Sequence, residues 1–281
     1  VWAMRRGLHV YCEKPLAHSV YEARVMQDTY KKMKVATQMG TQIHATDNYR
    51  RVVELVQSGI IGPINEVHVW CTRVGRPPDT KRPTDTPPVP EWLNWDLWLG
   101  PSPQRPYHPD YLPGCTKWEQ WWEYGNGCLG DMGSHLIDLP FWALKLRDPL
   151  TCESQGANHS EDFYPQWLVS RWEHPATADH PALTLTWHDG GKFPESPKEP
   201  ALDLSDSAKG KKLTPKPLDL TKWGIGVMFI GPKGKIVADY GRRFLLPADK
   251  FAGFQAPKES IPKSLGHYQE WIQGCKTGSP T

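Results

Sequence analysis

The stretch Gly7-Leu8-His9-Val10-Tyr11-Cys12-Glu13-Lys14-Pro15, with the two segments after it, decides the fold class. Residues 8–12 are a short apolar run of strand type, and Gly7 is placed to close a helix whose tail is residues 2–6. Ser19-Val20-Tyr21-Glu22 has the spacing of a capping box, so a helix opens there, with Ala23, Met26, Tyr30 and Met33 at helical intervals. Residues 34–39 form a second apolar run that stops at Gly40. Strand, helix and strand of this length predict a βαβ unit, hence an α/β chain whose first sheet is parallel.

Working outward, Tyr49, Val52, Val53 and Val56 share one face of a helix expected over 47–58 and ended by Gly59. A strand is expected over 64–74, with Val67, Val69 and Cys71 alternating against Glu66, His68 and Trp70. The proline-dense stretch 75–115 is too long for an idle connection and predicts a lid or binding loop. Helix returns over 118–146, and further strands are expected at 183–188, 225–230 and 235–240. Gly231-Pro232-Lys233-Gly234 joins the last two as a hairpin. The Lys- and Pro-rich tract 189–222 reads as a solvated insertion.

Composition narrows the function classes. Lys plus Arg number 33 against 31 Asp plus Glu, too even for an electrostatic nucleic-acid binder. No apolar run approaches the ~20 residues of a membrane helix, so neither nucleic acid nor membrane is an expected partner. The six cysteines show neither C-x-x-C nor zinc-finger spacing and read as scattered thiols. Both ends read as cuts through a longer protein, so localisation, cytoplasmic or exported, is not legible: any targeting segment would precede Val1.

Two places invite chemistry. Lys14 follows the carboxyl end of a parallel strand, where α/β sheets bind ligands; the alternative is a solvated turn lysine. Asp131, His135 and Asp138 in Gly130-Asp131-Met132-Gly133-Ser134-His135-Leu136-Ile137-Asp138 fall within roughly 40–60° of one another on a continuous helix. A carboxylate one turn from an imidazole can support it as an acid/base; a structural histidine or a metal site fits the same spacing. Gly125-Asn126-Gly127-Cys128-Leu129-Gly130 matches the dinucleotide fingerprint, but no first strand precedes it, and its glycines read as allowing close approach to a neighbour.

Gly7 to Pro15, followed by Gly127-x-x-Gly130-Asp131-x-Gly133-x-His135-x-x-Asp138, resembles the Gfo/Idh/MocA oxidoreductase family. Gly226-x-x-Phe229-x-Gly231-x-Lys233-Gly234 resembles a strand pair of that family's second domain, and Trp95 to Pro101 resembles a mostly uncharacterised subgroup. The resemblance implies an α/β protein with the C-terminal remnant of a Rossmann domain at 1–42. An α/β domain with a large open, mostly antiparallel sheet would follow at 43–281, incomplete at its C-terminus. The first strand, glycine loop and ribose carboxylate would precede Val1, which makes cofactor binding by this chain alone weak. The resemblance further implies NAD or NADP as cofactor, no metal, and a homo-oligomer through 64–74 and the 225–240 hairpin.

The resemblance places Lys14 beside the nicotinamide and the reacting hydroxyl, Glu13 and Pro15 along the nicotinamide ribose, and Gln42 and His44 near nicotinamide and substrate. It makes Asp131 and His135 the acid/base pair, with Asp131 orienting the imidazole. Trp98, Trp121 and Trp122, with Trp95, lie in or beside the long loop and are candidates to stack on a sugar face; the competing reading is core anchors. The expected function is hydride transfer between a nicotinamide and a sugar, sugar-derivative or cyclitol hydroxyl. Two alternatives share the fold: a redox-assisted glycoside hydrolase or lyase with recycled NAD, and a non-enzymatic sugar-binding fragment.

Overall fold

The computed structural model describes residues 1–112, 114–205 and 213–278. Strands β1 (Val10–Cys12) and β2 (Thr37–Met39) pair in parallel, Val10 opposite Thr37, with α1 (Trp2–Arg5) before them and α2 (Val20–Met33) between them. The expected capping box is present. Ser19 Oγ accepts from the Glu22 amide at 3.2 Å, and a Glu22 carboxylate oxygen accepts from the Ser19 amide at 3.0 Å, a cap worth about 0.5–2 kcal/mol. β2 starts later than expected because Lys34 caps α2 in the left-handed region.

The rest of the chain builds one large sheet. Its elements are α3 (Asp47–Gln57), β3 (Glu66–Cys71), α4 (Trp95–Leu99), α5 (Cys115–Trp118), α6 (Gly127–Leu136), α7 (Asp138–Leu144), β4 (Thr151–Gly156), β5 (Leu168–His174) and β6 (Leu183–His188). Then come β7 (Ala201–Asp203), β8 (Pro215–Lys216), β9 (Ile225–Gly231), β10 (Gly234–Ala238), β11 (Arg243–Leu246) and α8 (His267–Thr277). Strand order is β4-β5-β6-β3-β9-β10-β11-β7-β8, and only β3–β6 is parallel. The sheet is thus the large, mostly antiparallel one the sequence resemblance implied.

Helices α3, α6 and α7 cover one face, burying Tyr49, Val52, Val53, Leu136 and Leu139 against Val67, Val69, Leu185, Trp187, Val227 and Phe229. Each such side chain contributes roughly 1.5–3 kcal/mol. Trp70, expected on the polar side of β3, is fully buried because the opposite face is also covered there. Leu218, Leu220 and Trp223 close over it, with Met228, Val237 and Phe244. Gly226 lies opposite Trp70 in register, and a Cβ on it would sit 2.1 Å from the indole.

Two expectations are corrected. The tract 189–222 is not wholly a solvated insertion: β7 and β8 extend the sheet edge, and Leu204, Leu218 and Leu220 are buried; residues 206–212 lie outside the described ones. The 118–146 helix is broken. Residues 119–126 take an irregular path held by a bridge from Trp121 to Phe163, and α6 begins only at Gly127. Gly127 takes φ +66°, and a Cβ there would lie 1.8 Å from the Tyr164 ring, so the path requires glycine.

Candidate active site

Lys14 stands just past the carboxyl end of β1, and its side chain reaches α6. The ammonium donates to the Asp131 backbone oxygen at 3.2 Å and to Asp131 Oδ1. From the far side Arg73, two residues past β3, donates from Nη1 to Asp131 Oδ2 and, at 3.1 Å, to Glu119 Oε2. Burial works to raise the Asp131 carboxyl. Hydrogen bonds from Lys14 and Glu119 and the charges of Lys14 and Arg73 outweigh it and hold the group below the usual carboxylate range.

His135 lies one turn along α6. Its carbonyl accepts from the Tyr49 hydroxyl at 3.1 Å, and its ring meets Tyr240 edge-on at 6.5 Å. Burial, then the nearby Lys14 charge, lowers its basicity, so the ring is neutral near pH 7. Its Nδ1 is buried with no hydrogen-bond partner.

The structure brings Lys14, Asp131 and His135 together, but not as the spacing alone suggested. Asp131 gives both oxygens to Lys14 and Arg73 rather than orienting His135. Asp138, the first residue of α7, pairs through Oδ2 with His44 Nδ1 at 2.8 Å. Among the described residues no group of three or more His, Cys, Asp or Glu is arranged to hold a metal ion. The metal reading of Asp131, His135 and Asp138 therefore has no assembled ligand set.

Around this centre, Glu13 accepts from the Tyr11 hydroxyl at 3.0 Å and lies over Gly40, where a Cβ would be 2.1 Å from Glu13 Oε2. Pro15 is half-buried, and Gln42 is exposed at the start of the 3-10 turn Gln42–Ala45. His44 stacks on Trp142 at 4.1 Å between ring centroids. A groove of about 1030 Å³ runs from Cys12, Pro15 and Leu16 to Trp98, Tyr124 and Asn126.

The tryptophans part company. Trp98 lines this groove, stacked on Trp95 at 4.7 Å. Trp122 contacts Tyr164 and His159 and lines a separate cleft with Asn158. Trp121 is 0% exposed, edge-on to Tyr111 and Phe163, with the Arg76 and Arg82 guanidiniums 4.7 and 4.8 Å from its ring. It offers no face to a sugar and anchors the long loop instead. Trp121→Ala is expected to lower unfolding free energy by about 3–5 kcal/mol in denaturant titration. A stability loss under 1 kcal/mol would return Trp121 to the surface candidates.

Arg73 and Glu119 were missed in the sequence. Arg73 fell inside the strand expected over 64–74, and only the end of β3 at Cys71 makes it a cation past a strand end. Glu119 sits in Trp118-Glu119-Gln120-Trp121, where an uninterrupted helix would have turned it elsewhere.

The fold is shared with larger proteins of known structure. The chain superimposes on aldose–aldose oxidoreductase from Caulobacter crescentus, complexed with glycerol, with TM-score 0.55 and 14% identity, covering 99% of this chain and 65% of that one. For the WlbA dehydrogenase from Bordetella pertussis in complex with NADH and UDP-GlcNAcA the values are 0.51, 15%, 99% and 64%. For an inositol dehydrogenase homolog from Azotobacter vinelandii complexed with NAD+ they are 0.50, 16%, 84% and 46%. The chain thus spans between about half and two thirds of the length of these proteins, and at such identity the likeness is one of fold. No curated protein matches the chain. Residues 48–168 match the sequence model described as oxidoreductase family, C-terminal alpha/beta domain. That segment carries α3, β3, α6 and α7, and with them Arg73, Asp131 and His135, and what it is similar to is the C-terminal domain of Gfo/Idh/MocA oxidoreductases.

Proposed function

We propose that the full-length protein is an NAD(P)-dependent oxidoreductase, transferring a hydride between a nicotinamide and a hydroxyl of a sugar, sugar derivative or cyclitol. In this reading residues 1–42 are the end of a nucleotide-binding domain, 43–281 form the substrate domain, and the protein assembles as a homo-oligomer. The observation that carries it is the convergence of a half-buried imidazole, His135, whose basicity is lowered, with an ammonium, Lys14, held at the carboxyl end of a parallel strand. Solved structures sharing the fold contain NADH or NAD+, which supports the same class of cofactor here.

The residues present fit the nicotinamide end of such a cofactor. Glu13, Lys14 and Pro15 follow β1, and Gly40 after β2 leaves room for Glu13, at the strand ends where dinucleotides bind. Gln42 would lie beside them. The nicotinamide supplies the hydride acceptor. His135 takes the proton of the substrate hydroxyl, since a neutral imidazole can accept one. Lys14, fixed by Asp131, places positive charge against the developing alkoxide, and Arg73 adds a second cation behind Asp131. Trp98, Trp122 and His44 are left as candidates to border the substrate.

The test is turnover of the full-length protein with NAD+ or NADP+ over a panel of sugars and cyclitols. Stoichiometric reduced nicotinamide is expected. Glycosidic cleavage or elimination without net reduction would indicate a recycled cofactor, and sugar binding without turnover a non-enzymatic protein. The acid limb of kcat/KM carries a further expectation. A base must be unprotonated, and His135 is shifted down, so the rate should rise with pH through a midpoint below ~6.5 and be level by neutrality. A midpoint above pH 7 would remove His135 as the base.

A further inference from the structure

The side chains of Glu119 and Asp131 are 2% and 1% exposed, and one guanidinium nitrogen, Arg73 Nη1, donates to both. Both carboxyls accept from that one nitrogen and so lie side by side out of water. Two carboxyls held side by side out of water repel when both are ionised, and a proton kept on one and shared with the other relieves that repulsion. The surroundings decide which. Asp131 has Lys14 on one oxygen and Arg73 on the other, whereas Glu119 shares Arg73 with Asp131. Asp131 is therefore the anion. We propose that Glu119 is a positioning residue of this site: it keeps one proton, donates it to Asp131 and, with Arg73, fixes the carboxylate that holds Lys14.

The titratable groups around Glu119 come from every side. They are Asp131 and Cys128 on α6, Cys71 and Arg73 at the end of β3, Lys14 across Asp131, and Tyr240 beyond Arg73. Burial, then Asp131, pushes the Glu119 carboxyl up to about 8. The charge count has a consequence. Among Lys14, Arg73, Asp131 and Glu119, a neutral Glu119 leaves a net positive charge that favours an alkoxide. Ionising Glu119 would cancel it. This catalytic role, though not the kept proton itself, rests on the oxidoreductase reading.

Glu119→Gln is the test, because an amide reproduces the protonated form: its oxygen accepts from Arg73 and its NH2 donates to Asp131. The sign follows from linkage. Unfolded Glu119 ionises near pH ~4.3, while folded Glu119 keeps its proton to about 8, so the unfolded state binds fewer protons in between. Wild type therefore loses stability relative to the variant as pH rises through that window. The variant's Tm relative to wild type should climb by about 5 °C or more between pH 4.5 and 8, then stay level. Parallel Tm curves across pH 4.5–9 would overturn the proposal.

Infrared spectra give a second arm that survives a poorly folding variant. Wild type should show a protonated-carboxyl band that persists at pH 7 and bleaches near pH 8. Asp131→Asn should remove that band at pH 7 by leaving Glu119 ionised against Arg73. A wild type without such a band at pH 7 would overturn the proposal. In turnover, the wild-type rate should fall above pH 8 and the Glu119→Gln rate should not; a flat wild-type profile there would overturn the positioning role. Unfolding and infrared need no substrate, so absence of any dehydrogenase activity would sink the oxidoreductase reading and leave the kept proton standing or falling on its own.

Discussion

Lys14→Ala in the full-length protein is expected to lower kcat by about 10²–10³-fold, the range found when one preorganised donor to a developing oxyanion is removed. The loss should fall on kcat and kcat/KM alike, because an alkoxide exists only in the transition state. Cofactor affinity should change little in a calorimetric titration, since the ammonium is spent on Asp131 and the reacting hydroxyl. The fold should survive: with Lys14 gone, Asp131 still has Arg73 and Glu119 as partners. A variant turning over within a factor of three of wild type would remove Lys14 from the mechanism, whatever its contact with Asp131.

Much of the frame was legible before any coordinates. Local chemistry marked the start of α2 at Ser19, the amphipathic face of α3, the strand at β6 and the Pro232-Lys233 turn between β9 and β10. Each of these elements declares itself within its own few residues. β4 does not: Thr-Cys-Glu-Ser-Gln-Gly is exposed along its whole length and owes its strand to pairing with β5. β5 alternates, but two of its inward positions are Ser170 and His174, buried polar groups that mask the pattern. β7 and β11 lie where charged and proline-rich neighbours dilute short apolar runs.

The site divides in the same way. Helical spacing correctly put Asp131 and His135 a turn apart, but which partner each carboxylate takes is a long-range matter. Asp131 is separated by 117 residues from Lys14 and 58 from Arg73, and Asp138 by 94 from His44. Helical spacing puts Asp138 near His135 but does not reveal that its carboxylate pairs with His44. Trp121 shows the converse. Composition marked it as a possible sugar platform, and tertiary packing spends it on holding the loop against Phe163 and two guanidiniums.

The sharpest separation between the spacing-based and the three-dimensional account of Asp131 is a double-mutant cycle. Asp131→Asn is expected to lower kcat by roughly 10²-fold, because an amide keeps the shape but carries no charge and cannot accept from cations on both sides. If Asp131 acts through Lys14, adding Lys14→Ala should cost little more: the double variant should lie within about three-fold of the worse single one. Asp131→Asn combined with His135→Ala should instead multiply, since the base and the held cation act on different atoms of the substrate. Had Asp131 oriented the imidazole, the pattern would be inverted, with Asp131 and His135 redundant and Asp131 and Lys14 additive. Four single-turnover rate constants for each pair decide it. Redundancy of Asp131 with His135 would return the carboxylate to the role its helical spacing first suggested, and would make its contacts with Lys14 and Arg73 a resting arrangement that turnover must break.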